Sequence, residues 1–91
     1  MDDVKLRTER LTWREIDGEA VILDLGSSTY FSTNRSGTLL LRRLVDERTR
    51  DELVDTLVQS YEISHERATS DVDAFVQILS ARGLIDETDR H

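Results

Sequence analysis

His65 and His91 are the only imidazoles among the 91 residues, and cysteine is absent. Without thiolates, a zinc site would need carboxylates joined to two histidines that lie far apart in the chain. His65 falls in the first turn of a helix and His91 in a polar tail, so both read as solvated side chains. No HExxH, GxSxG or phosphate-cradling loop occurs, and Gly26 is an isolated turn glycine. The acid pairs Asp2-Asp3, Asp46-Glu47 and Asp51-Glu52 read as helix-terminal charges, which the helix dipole favours. The inventory predicts no catalysis, no metal and no cofactor.

Charge narrows the partners. Acids outnumber bases 19 to 12, for a net charge of −7. Affinity for nucleic acid comes largely from cations that displace counterions from phosphates, and no basic cluster of five residues is present. DNA, RNA and anionic membrane are therefore not expected partners. No apolar run approaches the roughly 18–20 residues of a membrane span, and Met1 to Arg10 contain no signal-peptide core. A cytoplasmic location is expected.

The elements that must position any functional group come next. Leu11 to Ile16 reads as a strand, Asp17-Gly18 as a tight hairpin turn, and Glu19 to Leu25 as a second strand rich in β-branched residues. Gly26-Ser27-Ser28 makes the next turn and Thr29 to Thr33 a third strand. From Asn34 the apolar period becomes helical. Asn34 caps a first helix bearing Leu39, Leu40, Leu41, Leu44 and Val45. Thr49 and Glu52 form a capping box on a second, with Leu53, Val54, Leu57, Val58 and Tyr61 on one face. Ser64 caps the third and longest, which ends near Arg82, where Gly83-Leu84 suits a left-handed stop with Leu84 folded back onto Leu79. The fold class is α+β, a three-stranded antiparallel sheet followed by a three-helix bundle. Residues 10–86 are expected to form the single domain, with 1–9 a partly flexible segment and 87–91 a flexible tail.

Trp13 reads as a core residue on its strand, whereas Tyr30 lies on the strand expected to be an exposed edge. On the third helix Ala68, Val72, Phe75, Val76 and Leu79 form one buried stripe. Ala74, Ile78 and Ala81 form a second, shallower strip. Either the helix is wedged deeply into the core, or this strip lines a groove beside the third strand. In the second case the small residues leave space for another chain's side chains.

The run Tyr30-Phe31-Ser32-Thr33-Asn34-Arg35-Ser36-Gly37, entering a Leu-rich helix, resembles the strand-to-helix junction of the PqqD-like family. So does Asp71-Val72-Asp73-Ala74-Phe75-Val76 leading to Leu79 and Arg82-Gly83-Leu84-Ile85, with Asp51-Glu52-Leu53 and Tyr61 between the two blocks. The resemblance spans residues 10 to 86. It departs at Leu41, where many members carry tryptophan. It implies a winged-helix-like, non-catalytic RiPP recognition element, which binds the leader segment of a ribosomally made precursor peptide and presents it to modifying enzymes. The leader would add as an antiparallel strand to the third strand, at Thr29, Tyr30, Phe31 and Ser32. Its side chains would pack near Tyr30, Phe75 and Ile78 with Ala74 alongside, and Arg67, Asp71 and Arg82 could orient a polar leader residue. Free-standing members serve lasso-peptide maturation, beside a leader peptidase and a cyclase, or pyrroloquinoline quinone assembly, beside a radical SAM enzyme. The short acidic chain favours the lasso branch. A winged-helix DNA-binding protein and a structural subunit of a larger enzyme are the rival readings.

Overall fold

The computed structural model describes residues 2–7, 9 and 11–89. Its elements in order are β1 (Asp2–Leu6), β2 (Leu11–Ile16), β3 (Glu19–Asp24), β4 (Thr29–Thr33), α1 (Arg35–Arg43), β5 (Arg48–Thr49), α2 (Arg50–Tyr61), α3 (His65–Ala81) and β6 (Ile85–Asp89). The α+β class holds, with the antiparallel sheet β2-β3-β4 and three helices. The likeness to a winged helix is loose, because this sheet precedes the helices in the chain. Among the described residues no helix is long and apolar enough to cross a membrane.

Local signals explain most boundaries. Asp17 and Gly18 both have positive φ, 53° and 81°, as a two-residue type I′ hairpin requires. The β2–β3 register follows as Ile16 opposite Glu19 and Leu11 opposite Asp24. In the next turn the αL position is Ser28, φ 58°, not Gly26. The buried Asp24 carboxylate holds that turn, accepting from the Gly26 amide at 2.9 Å and the Ser27 hydroxyl at 3.0 Å. Asn34, Thr49 and Ser64 cap the three helices, each accepting from the amide three residues on. At the end of α3 the Leu84 amide donates to the Leu79 carbonyl and the Gly83 amide to Ser80, both at 3.0 Å. That pair of bonds, with Gly83 at φ 70°, is a Schellman stop.

A second sheet, β5-β1-β6, goes beyond the sequence expectation. β1 pairs with β6 over five residue pairs, from Asp2–Asp89 to Leu6–Ile85. The expectations of a partly flexible 1–9 and a flexible 87–91 do not contain this pairing. Val4 and Leu6 are buried here, and the Leu6 amide donates to the Leu44 carbonyl at 2.9 Å. Asp2-Asp3 is thus a strand pair and not a helix-terminal one. His91 lies outside the described residues.

The core sits between the helices and the inner face of the β2-β3-β4 sheet. Leu40, Leu41, Leu44, Leu53, Leu57, Val72, Val76 and Leu79 are essentially inaccessible, with Trp13 and Phe31 packed partly buried against them. Leu41, where the resemblance led us to expect a bulkier tryptophan in relatives, is fully buried. The buried Thr38 hydroxyl accepts from the Ala20 amide at 2.8 Å and donates to the Asn34 carbonyl, tying α1 to the sheet.

Candidate peptide-binding edge and groove

The strand order leaves β4 paired only with β3, so its other side is a sheet edge among the described residues. Which of its backbone groups are free follows from the register. The two-residue turn makes Ile16 and Glu19 a hydrogen-bonded pair, and such pairs alternate along an antiparallel ladder. Glu19, Val21 and Leu23 therefore bond to β2, and Ile22 and Asp24 bond to β4 through Phe31 and Thr29. Tyr30 and Ser32 are left with their amides and carbonyls directed outward. An added strand would satisfy these groups.

Side chains alternate in the other sense, towards one face or the other. Phe31 and Thr33 face the helices: Phe31 packs on the core, and the Thr33 hydroxyl abuts Gly37. Tyr30, 75% exposed, is paired with Leu23 on the face turned away from the helices. This corrects the placement of its side chain in the groove with Phe75 and Ile78. Its backbone stays at the edge, but its ring does not line the trough.

Between the end of β4, the start of α1 and the flank of α3 lies a cavity of about 340 Å³. Thr33, Gly37 and Leu40 bound it on one side, and Arg67, Asp71, Ala74, Phe75 and Ile78 on α3 bound the other. Its floor is apolar and firm, since Phe75 is 8% exposed, while Ile78 at 50% forms the rim. Gly37 is needed here for space. A Cβ would stand 1.9 Å from the Thr33 hydroxyl oxygen and 3.1 Å from the Phe75 ring. Of the sequence-predicted residues, Arg67, Asp71, Ala74, Phe75 and Ile78 are brought together. Arg82 stands apart from them, its guanidinium 4.2 Å from the centre of the Phe31 ring, a cation–π contact bridging α3 and β4. Ala81, assigned to the same strip, lines a different depression with Arg50 and Asp73, one turn beyond Ile78 along the helix. Thr33, Gly37 and Leu40 line the cavity as well, although the sequence reading did not assign them to the site. A glycine in the first turn of a well-capped helix was the available sign of close approach.

Charge at the cavity is balanced, with one cation, Arg67, and one anion, Asp71, among the residues that line it. Among the described residues no group of three His, Asp or Glu side chains could hold a metal ion. His65 is exposed in the first turn of α3. A larger, open depression of about 590 Å³ lies among Asp17, Arg35, Leu39, Arg42 and Tyr61. It is ringed by charges, including Arg42 paired with Glu15, and borders no part of β4, so size alone does not make it the better site.

Comparisons with known proteins match the chain to one family model and to solved structures. A family model described as Coenzyme PQQ synthesis protein D (PqqD) matches residues 19–85. No curated protein matches the chain. A solved structure described as TbiB1 in complex with the TbiA(beta) leader peptide is similar with a TM-score of 0.81 and 24% identity, over 90% of this chain and 94% of that one. A lasso peptide synthetase B1 complexed with the leader peptide is similar with a TM-score of 0.77 and 26% identity, over 91% and 96%.

Proposed function

The chain belongs to the PqqD family, and from that membership we propose that it binds the leader segment of a ribosomally made precursor peptide and presents it to modifying enzymes. The observation that carries this reading is the open β4 edge lying beside an apolar-floored cavity. The outward amides and carbonyls of Tyr30 and Ser32 would bond to an added strand, at a net gain of about 0.5–1.5 kcal/mol each. Those bonds read backbone and carry little sequence information. Selectivity comes from leader side chains that enter the cavity over Phe75 and against Ile78, with Ala74 leaving room. At about 340 Å³ the space is at the low end of ligand pockets, and suits one or two large side chains better than a free cofactor. Burying each would contribute about 1.5–3 kcal/mol, offset by ordering a flexible leader, for micromolar to nanomolar affinity. Thr29, Phe31 and Arg82 border the same path, and Arg67 and Asp71 are placed to orient a polar leader residue.

The chain is proposed to be a non-catalytic adaptor in the cytoplasm, acting with a leader peptidase or other modifying enzyme. Likeness to a lasso peptide synthetase B1 supports the lasso branch over quinone assembly. The test is a titration of the purified chain with fluorescent copies of the leader segments of candidate precursor peptides from the same genome. Saturable binding at or below micromolar concentrations is expected. Absence of binding at about 100 μM would end the proposal.

A further inference from the structure

Towards the C-terminus of α3 the groove beside β4 ends at Arg82. Its backbone is pinned there as the helix cap, the Arg82 amide donating to the Ile78 carbonyl at 3.2 Å. Its guanidinium reaches across to β4 and lies 4.2 Å from the centre of the Phe31 ring. Stacking occupies one face of the guanidinium, whereas its N–H donors radiate in the plane and stay available at the edge. Arg7, Arg42, Arg48 and Arg50 each have a carboxylate partner. Among the described residues no carboxylate pairs with Arg82, in a chain where acids outnumber bases 19 to 12. At the opposite end of the groove Arg67 shares the cavity wall with Asp71, so its charge is offset. Arg82 is the uncompensated cation on this path.

We infer, on the leader-binding reading above, that Arg82 is a specificity residue that reads an acidic side chain of the leader at a position fixed by strand register. With Tyr30 and Ser32 bonding outward, the leader residue opposite Phe31 forms a non-hydrogen-bonded pair, the arrangement that brings side chains closest. Its Cβ would lie about 4.5–5.5 Å from that of Phe31, on the face turned to the helices. Thr33, Phe31 and Thr29 share that face. An antiparallel leader runs from Thr33 towards Thr29, so its side chain opposite Thr33 enters the cavity. The next side chain on the same face, two positions closer to the leader's C-terminus, meets the guanidinium over Phe31. A lysine or arginine there would be repelled, and an apolar residue would cover donors that it cannot satisfy. A carboxylate satisfies them, as a bidentate pair. The leader is thus expected to carry an aspartate or glutamate two positions after the large residue that fills the cavity. That spacing supplies a sequence preference that the backbone bonds of the edge lack.

The test takes the leader segment that binds the wild-type chain in the titration above and changes each of its acidic residues singly to the matching amide. Fluorescence anisotropy then compares these peptides on wild type, Arg82→Gln and Arg82→Lys, with a thermal melt of each chain. Arg82 is exposed, so both substitutions leave the core intact. Arg82→Gln is expected to weaken binding of the unaltered leader about fivefold to tenfold, between the effect of an exposed ion pair and that of a buried charged hydrogen bond. One amide peptide should lose about as much on the wild-type chain and less than about twofold more on Arg82→Gln, because the two changes remove one interaction. Arg82→Lys, which keeps the charge without the fork, should lose less than Arg82→Gln. The cavity-filling residue is located by the same cycle between Ile78→Ala and single alanine substitutions in the leader. Equal losses for every peptide on Arg82→Gln would make Arg82 merely structural and overturn the inference. So would an unchanged affinity in folded Arg82→Gln, a bound leader without acidic residues, or coupling to an acid at a different spacing from the cavity-filling residue. A wild-type chain that binds no leader at all sinks the leader-binding reading itself, and this one with it.

Discussion

Ile78 is half exposed on the rim of the cavity, so it can be changed with modest effect on the fold and a large one on binding. Complete burial of such a side chain is worth about 1.5–3 kcal/mol, so the half still exposed can contribute about 1 kcal/mol when a leader side chain covers it. Ile78→Asp removes that gain and forces a carboxylate against the incoming apolar group, which costs about 1–3 kcal/mol more. The expected loss is therefore about 2–4 kcal/mol, or roughly 30-fold to 1,000-fold in affinity. The half already buried is also lost, and an acid near a helix C-terminus is unfavourable, so stability should fall by about 1–2 kcal/mol. Fluorescence anisotropy with labelled leader measures the first effect, and far-UV dichroism with a thermal melt measures the second. Ile78→Ala, which adds no charge, should weaken binding only about fivefold. A folded Ile78→Asp chain that binds leader within about twofold of wild type would refute the groove assignment.

Phe75 lines the same cavity but is a core residue, so Phe75→Ala should cost about 3–5 kcal/mol of stability and lower the thermal midpoint by at least about 12 °C; a change of only a few degrees would contradict its packing against Gly37. Tyr30→Pro removes one outward amide and no ladder bond, so leader affinity should fall about fivefold with little change in the melt; a large loss of stability would show that this amide bonds to β3. The Thr49 backbone amide, donating at 2.9 Å, is the main reason the Glu52 carboxyl is held below the usual glutamate range, with Arg48 assisting and desolvation opposing. A depressed carboxyl stabilises the fold above its unfolded pKa, and that contribution disappears as pH falls through the folded value. Melts of wild type and Glu52→Gln should therefore converge as pH drops through and below the ordinary glutamate range, and a gap that widens on acidification would contradict the assignment.

Much of this architecture was legible from single residues. The side chains of Asn34, Thr49, Glu52 and Ser64 compete locally for helix-end amides, and Asp17-Gly18 meets the positive φ of a tight hairpin, so short-range chemistry suffices to place these boundaries. The β1–β6 pairing joins residues some 80 positions apart. Val4 and Leu6 alternate with charge over only five residues, and Ile85–Asp89 carries a single apolar side chain, so neither segment announces a strand alone. The cavity floor at Phe75 and rim at Ile78 followed from helical period. The orientation of Tyr30 did not, because it depends on strand parity, and a one-residue difference in register reverses every side chain. Ala81 keeps nearly the same helical direction as Ala74 but lies two turns further along α3, beyond the end of the cavity, where it lines a separate depression.

Amide hydrogen exchange on the chain with and without leader peptide tests the central claim most directly. If β4 accepts a foreign backbone, the Tyr30 and Ser32 amides should pass from fast exchange to strong protection, while those of Phe31 and Thr29, already bonded to β3, change less. Leader binding that leaves Tyr30 and Ser32 unprotected, or that protects β2 in their place, would contradict the account.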